Sequence, residues 1–372
     1  MQKIGIGVVG WGFMGKTHTH ALRGMRMFYP DMDFQPVLKS VCSRRIDVAR
    51  RACEDFGFEH YTDDYRALLA REDIGVVSIC TPNALHRDMV IAALEAGKHV
   101  YVDKPLCMDA REAEDICDAV VRSGRKLQVA HNNRFFPSTL RARALIDEGR
   151  IGEVLSFKFD YLHSGSIDRE RPVGWKQMRE GGVLLDLASH ALDLMGHLVG
   201  EAEEVLCEMR ALYPSRPDRA GNPVSDLGED QVAALIRLKN GALGTLEASK
   251  IATGTDDELA FEIYGSRGAL RWHLMRADYL EFFDNDKPEA PLGGERGFTR
   301  LGCVQRYAPP GGSFLPKNTV GWDRAHMHCY HTFLNAVAHD LPVSPDAFEA
   351  ARVQALMDAM RTSAAERRWV KV

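Results

Sequence analysis

The hydrophobic rhythm of the chain changes once. Early on, short continuous apolar runs alternate with segments that are apolar every third or fourth residue; past about residue 150, apolar and polar positions alternate singly. Ile4, Ile6, Val8 and Val9 make the first run, and 37–42, 74–80 (IGVVSIC), 99–102 and 127–130 the next four. Such runs read as strands buried on both faces. Helices are predicted between them: one carrying Met14, His18, Ala21, Leu22 and Met25, one over 47–56 stopped by Gly57, one over 65–70, and one over 83–96 closed by Gly97. Asp109-Ala-Arg-Glu112 resembles a capping box opening another, with Ala113, Ile116, Val120 and Val121 on one face. Phe28 to Pro36, with two prolines, reads as a loop. Strict alternation of strand and helix marks a doubly wound parallel α/β sheet over 1–130.

From Val154 to Tyr161, Leu155, Phe157, Phe159 and Tyr161 fall on one face and Ser156, Lys158 and Asp160 on the other, as in a half-buried antiparallel strand. Segments 205–212, 232–238, 242–249, 259–264, 269–273 and 279–283 look alike, and Asn240-Gly241 signals a hairpin between two of them. Helices are expected only near 184–198 and at about 325–338 and 348–365; 213–228 and 284–321 read as long loops. The expectation for 131–372 is a separate α+β domain with a large, mainly antiparallel open sheet. So few helices leave one sheet face to be covered by another subunit, giving a homodimer or homotetramer through this sheet.

Composition adds exclusions. The 372 residues are 45% hydrophobic and 27% charged, which is ordinary for a globular protein of about two domains. A net charge of −5 argues against a general binder of nucleic acid or anionic membrane. No apolar run reaches spanning length, and a first strand beginning by Ile4 leaves no room for a signal peptide. The eight cysteines form no C-x-x-C pair, and Cys42, Cys80 and Cys117 lie in apolar segments. A reducing cytoplasm is the expected setting.

The first strand runs into Gly10-Trp11-Gly12-Phe13-Met14-Gly15, and a helix follows. Strand, G-x-G-x-x-G, helix is the dinucleotide fingerprint. Gly10 would make the tight turn, Gly12 would admit a pyrophosphate to the backbone, and Gly15 would let the helix pack closely. The phosphate would sit on N–H groups at the positive helix end. Gly10 to Thr17 is also G-x-x-x-x-G-K-T, the phosphate loop of ATPases and GTPases. That reading needs a magnesium-binding aspartate ending another buried strand; only 100–102 ends so, at Asp103, followed at once by Lys104-Pro105. The second strand ends in Ser43-Arg44-Arg45, with no carboxylate before Asp47. A hydroxyl followed by guanidinium suits a 2′-phosphate, so NADP is slightly favoured over NAD.

In such sheets ligands bind beyond the carboxyl ends of the strands. That edge receives Thr81-Pro82-Asn83 and Asp103-Lys104-Pro105. Further on, Asp186, His190 and Asp193 follow Gly181-Gly182 at i, i+4 and i+7, on one helical face. A histidine there can take a proton near neutral pH, with an acid one turn away to hold it or a substrate hydroxyl. In His326-Met-His328-Cys-Tyr-His331, His328 and His331 share a helical face, as do His326 and Tyr330. Zinc needs three or four converging ligands, and a helix start near the substrate pocket is preferred to a metal site. His18 and His20, flanking the fingerprint helix, are taken as structural.

Gly10–Gly15, Thr81-Pro82-Asn83, Lys104-Pro105, Asn133-Arg134-Phe135, Trp175 and Gly181-Gly182…Asp186…His190…Asp193 together resemble the Gfo/Idh/MocA family, over nearly the whole chain. Glucose–fructose oxidoreductase and inositol dehydrogenases belong to it. The resemblance implies an N-terminal Rossmann domain, a C-terminal α/β domain for substrate and assembly, and a catalytic set on Lys104, Asp186 and His190. Expected cofactor contacts for NAD(P) are Gly10 to Gly15, Ser43, Arg44, Thr81, Pro82, Asn83, His86, Asp103 and Lys104. Expected substrate contacts are Lys104, Asn132, Arg134, Tyr161, Trp175, Asp186 and His190. The family commonly reads Glu-Lys-Pro where Asp103-Lys104-Pro105 stands, and Trp-Arg where Trp175-Lys176 stands. The implied reaction is hydride transfer between the nicotinamide and a secondary alcohol or ketone of a sugar, sugar derivative or cyclitol. Glycoside cleavage with recycled NAD, or nucleotide binding without turnover, are the alternatives.

Overall fold

The computed structural model describes residues 1–179, 181–308, 311–312 and 316–372. They form two compact units: 1–135, 305–317 and 321–354 in the first, and 136–304, 318–320 and 355–372 in the second. A single cut after 130 therefore does not separate them, because 321–354 packs with the N-terminal sheet.

The first unit is a six-stranded parallel sheet. Its elements are β1 (Gln2–Val9), α1 (Phe13–Phe28), β2 (Phe34–Cys42), α2 (Ile46–Phe56), β3 (His60–Thr62), α3 (Tyr65–Leu69), β4 (Val76–Ile79), α4 (His86–Glu95), β5 (His99–Val102), α5 (Ala110–Ser123) and β6 (Leu127–Val129). The strand order is β3-β2-β1-β4-β5-β6. Ile6, Val8, Val76, Val77, Val100 and Val102 are wholly buried, as two-sided burial of a parallel sheet requires. Asp109 caps α5 by accepting from the Glu112 N–H, while the Glu112 carboxylate accepts from the Met108 N–H. Gly57, Gly97 and Gly124 follow helices with positive φ.

Two readings of this unit are corrected. Strand β2 starts at Phe34 and runs through the expected loop; Pro36 is tolerated because β3 pairs only with Ser40–Cys42 and leaves that stretch open on one side. Strand β3 itself, three residues of HYT, is too short to show a period. The helix Trp322–His339 packs against α1, where Gly24 lies beside Met327.

The second unit starts with α6 (Pro137–Asp147), missed in the sequence because its buried face is mostly small, Pro137, Ser138, Thr139 and Ala142, with Leu145 as its one large apolar residue. Then come β7 (Val154–Leu162), a π-wound turn (Leu184–Ala188) leading into α7 (Ser189–Val199), β8 (Ala202–Arg210), β9 (Arg216–Pro217), β10 (Pro223–Val224), β11 (Gln231–Leu238), β12 (Leu243–Ser249), β13 (Glu258–Gly265), β14 (Gly268–His273), β15 (Tyr279–Asp284), β16 (Phe298–Gly302) and β17 (Val370–Lys371). Nine strands form one sheet, β16-β15-β14-β13-β7-β12-β11-β8-β17, antiparallel at every step except the parallel pair β7–β12. Strand β16 lies inside the expected loop 284–321, of which 309–310 and 313–315 are outside the described residues. Asn240-Gly241 does turn the hairpin β11–β12.

Helices α6 and α7 cover one sheet face, burying Phe157, Phe159, Leu246, Phe261 and Trp272. Leu155, expected on that face, is exposed at the start of its strand. The opposite face carries Leu235, Leu243 and Tyr264 among Arg237, Glu262, Arg271 and Glu281.

The first unit buries several imidazoles that set a pH dependence, His18 and His331 among them. His18 lies under the sheet edge and His331 stacks on Tyr29 with ring centroids 3.6 Å apart. Burial pushes each down to about 4. The unfolded chain takes up these protons below about 6.5, the folded chain only near 4, so stability falls as pH falls through that window. Urea unfolding should give a lower free energy at pH 5 than at pH 7, and His331→Gln should make the fall shallower. An unchanged slope in the variant would show that His331 is not one of the groups responsible.

Candidate active site

The fingerprint turn shows three glycines under three constraints. Gly10 has φ +96°, and a Cβ there would lie 2.6 Å from the Cys80 carbonyl oxygen. A Cβ on Gly15 would lie 2.1 Å from the Gly10 oxygen, so α1 meets the turn at backbone contact. At Gly12, by contrast, a Cβ would meet nothing within 4 Å. The N-terminus of α1 has no side-chain cap and no acidic residue in its first turn. Open space before uncapped N–H groups fits a pyrophosphate. The Trp11 ring packs edge-on against Phe56 and Phe58, while the exposed Phe13 stacks on Trp322. Thr17, which a phosphate loop would turn to magnesium, donates its hydroxyl to the Phe13 carbonyl.

The other strand ends converge on the same edge of the sheet. The Gly10 N–H bonds the Cys42 carbonyl at the end of β2, and Arg44 and Arg45 beyond it are exposed. The Asp103 carboxylate accepts from the Lys104 N–H at 2.9 Å. Lys104 lies close enough to His326 to help hold that buried imidazole well below its ordinary pKa, after burial itself. His86, an expected cofactor contact, has both ring nitrogens at backbone carbonyls, Pro105 at 3.0 Å and Thr81 at 2.9 Å. It ties the two loops together. Asn132 is buried beside Arg134, whose guanidinium bonds Glu349 at 2.8 Å and Ser344 at 3.2 Å in a buried ion pair. Arg134 thus anchors the start of the last helix, Ala347–Glu366, rather than presenting its charge at an open surface.

The histidine run divides as its spacing predicts. His328 and His331 both stack near Tyr29, and His328 also bonds the Tyr29 hydroxyl. His326 and Tyr330 both lie against His18. No group of three or more potential metal ligands occurs among the described residues.

In the second unit, Gly182 (φ +47°) opens the π-wound turn, and a Cβ there would lie 2.2 Å from Glu229 Oε1. The same carboxylate accepts from the Leu184 N–H at 2.8 Å. The turn alters the expected face: Asp186 sits in the wider π segment and His190 in the first turn of α7, so their spacing is not that of a straight α-helix. Asp186, His190 and Asp193 are all buried. The Asp186 carboxylate holds two ammonium groups, Lys176 at 2.8 Å on Oδ1 and Lys250 at 3.2 Å on Oδ2. The Tyr161 ring packs edge-on to His190, but its hydroxyl donates to Asp257 at 2.7 Å, which His163 also reaches at 2.8 Å. The phenol expected to meet substrate therefore supports His190 through its ring. Trp175 is half exposed, beneath the Lys176 ammonium.

Lys250, Glu229 and Asp257 were not singled out in the sequence, and Lys176 was noted only as a departure from the family's Trp-Arg. Of the three, Lys250 carried a signal, a lysine just past a strand, as Lys104 is. The first unit offers an anion-binding glycine turn and a lysine at a strand end, and the second a fixed carboxylate and a buried imidazole.

Comparison with known proteins agrees. Residues 4–131 match the family described as "Oxidoreductase family, NAD-binding Rossmann fold", and 143–372 match its "C-terminal alpha/beta domain". The chain is 34% identical to levoglucosan dehydrogenase of Pseudarthrobacter phenanthrenivorans, covering 100% of this chain and 99% of that one. It is 27% identical to inositol 2-dehydrogenase of Rhizobium meliloti, covering 98% of each. The solved structure of levoglucosan dehydrogenase with NADH and levoglucosan matches with a TM-score of 0.94 at 34% identity, over 100% of this chain and 99% of that one. An oxidoreductase domain protein from Kribbella flavida matches with a TM-score of 0.93 at 29% identity over the full length of both. With both halves of the chain matched, in order and nearly end to end, this protein belongs to the Gfo/Idh/MocA oxidoreductase family.

Proposed function

We propose that the protein is an NAD(P)-dependent dehydrogenase acting on a secondary alcohol of a sugar, sugar derivative or cyclitol, with a pyranose-sized substrate favoured by its likeness to levoglucosan dehydrogenase. The observation that carries this reading is the buried pair on the α7 entry, a carboxylate bonded by two lysines and an imidazole four residues on. The bound nicotinamide supplies hydride acceptance and donation. The protein holds the pyrophosphate at Gly12 and the N-terminus of α1. His190 takes the hydroxyl proton, Lys104 stabilises the developing alkoxide, and Asp186 holds a neighbouring hydroxyl. An alcohol is too weak an acid to release its proton unaided near neutral pH, so the base is needed as hydride leaves. The Ser43-Arg44 end of β2 supports a modest preference for NADP, although the relative named above was solved with NADH. That the eight cysteines form no disulfide fits a reducing cytoplasm as the setting, and no described helix is long and apolar enough to cross a membrane. The outer face of the nine-stranded sheet, with Leu235 and Leu243 about two-fifths exposed, supports assembly through that face.

Three measurements test this. Gly12→Val has room to fold but fills the space meant for the pyrophosphate. Its melting temperature should match the parent while NAD(P)H affinity, titrated with both cofactors side by side, falls roughly tenfold or more; undiminished affinity removes the fingerprint assignment.

In a screen of sugars and inositols, net accumulation of reduced nicotinamide is expected, which recycled-cofactor glycoside cleavage would not give. His190→Asn should lower turnover on the best substrate by about a hundred- to ten-thousandfold while leaving NAD(P)H affinity nearly intact. Near-parental turnover would make His190 structural and leave Lys104 as the base.

Light scattering at micromolar concentration should show a dimer or tetramer; a monomer would overturn assembly through the sheet.

A further inference from the structure

Asp186 is held by two lysines in different circumstances. The Lys176 side chain, on the short turn Trp175–Gln177, is 49% exposed, whereas that of Lys250, just past β12, is 8% exposed. An ammonium has three donors. Those of Lys250 have three acceptors in reach: Asp186 Oδ2 at 3.2 Å, the Lys176 carbonyl at 3.1 Å and the Gly182 carbonyl at 3.2 Å. All three are protein acceptors, and the last two belong to the two turns that precede Asp186. Burial pushes the Lys250 ammonium down from its ordinary range, and the Asp186 charge works against that shift. A cation buried this deeply is costly unless a carboxylate is fixed beside it. The reaction proposed above assigns this lysine no step.

We infer that Lys250 is a positioning residue that keeps Asp186 ionised and aimed through Oδ2, while Lys176 on Oδ1 is an exchangeable partner that yields to a substrate hydroxyl. The inference rests on the dehydrogenase reading. The Lys176 ammonium can move into water without leaving a buried charge behind, because Lys250 still neutralises the carboxylate. The Lys250 ammonium has no such exit. Among the groups facing the pair are Tyr161 from β7, Glu229 ahead of β11, whose carboxylate is tied to the Leu184 N–H, and His190 in the first turn of α7. Of these, Glu229 is a further negative charge, so removing Lys250 leaves two acids without their buried cation.

The two lysines should separate in kinetics. Lys250→Met should lower kcat about tenfold or more and move the acid limb of the kcat/KM profile to higher pH, since a carboxylate without its cation protonates more readily. Lys250→Arg keeps the charge and should restore the limb. Lys176→Met should instead lower KM, because the substrate no longer displaces an ammonium. Parental kcat and an unmoved limb in Lys250→Met would overturn the inference, as would a raised KM in Lys176→Met for the exchange. If Lys250→Met melts below the assay temperature, Lys250→Gln keeps donors for the two carbonyls without the charge and carries the same expectation. Should no sugar or cyclitol be oxidised, the dehydrogenase reading fails by itself. Thermal unfolding then still reads the pairing: Lys250→Met with Asp186→Asn should melt higher than Lys250→Met alone, and equal melting would refute it.

Discussion

The constraint on which the nucleotide turn depends is the approach of one glycine to another. With no side chain at Gly15, α1 starts against the Gly10 carbonyl, and with none at Gly10 the turn passes under the end of β4. Much follows from that contact. The helix enters over the sheet with its first N–H groups uncapped, which is what an anion needs. Its buried face brings His18 onto Ser78 and Cys80 and leaves Gly24 beside Met327. The helix Trp322–His339, far away in sequence, fills the remaining space with Tyr330, Phe333 and Leu334.

The second unit solves a different problem, the burial of a carboxylate. Asp186 lies in an apolar segment, LLDLA, where an unpaired charge would be expensive. The compensation comes from two places in sequence, Lys176 before it and Lys250 just past β12, while Glu229, a second acid, caps the turn at Leu184 in the space a side chain at Gly182 would take. The wide π turn belongs to this arrangement. It lets the chain pass from the Gly181-Gly182 corner into α7 while the carboxylate faces the lysines.

The legible parts of the chain were those where local pattern and tertiary burial agree. Parallel strands buried on both faces stand out as IGIGVV or VVSI, and the glycine turn announces itself by spacing. The strands of the second sheet showed their alternation almost to the residue. What escaped lacked its own period. The three residues of β3 have too few positions to alternate, and the five of β16 are mostly exposed, with no buried face to show a period. Helix α6 hides its buried side in small polar residues that are satisfied by partners far away, as Ser138 is by Trp272 and the Ala277 carbonyl. The parallel step β7–β12 is a matter of order in the sheet, to which alternation is blind. The return of 321–354 to the first unit is a matter of long-range packing, on which no local pattern bears.

The candidate site shows the same division from the chemical side. Residue type and position put forward Lys104, Asp186 and His190 for the chemistry and His86, Arg134 and Tyr161 as ligand contacts. In the folded chain His86 spends both ring nitrogens on carbonyls, Tyr161 gives its one O–H to Asp257, and Arg134 is drawn into an ion pair with Glu349. Each is polar and near the right strand end, yet each has its hydrogen-bonding capacity claimed by the protein. A motif states which side chains reach a region; it does not state which of them the scaffold consumes. Lys250 is the converse case, invisible as a motif and buried by its three bonds against the one carboxylate the motif does name. Deciding between scaffold and chemistry therefore takes a donor-by-donor account of the folded chain, and that account gives a lysine with all three donors directed inward a role in holding a reacting group rather than in touching substrate.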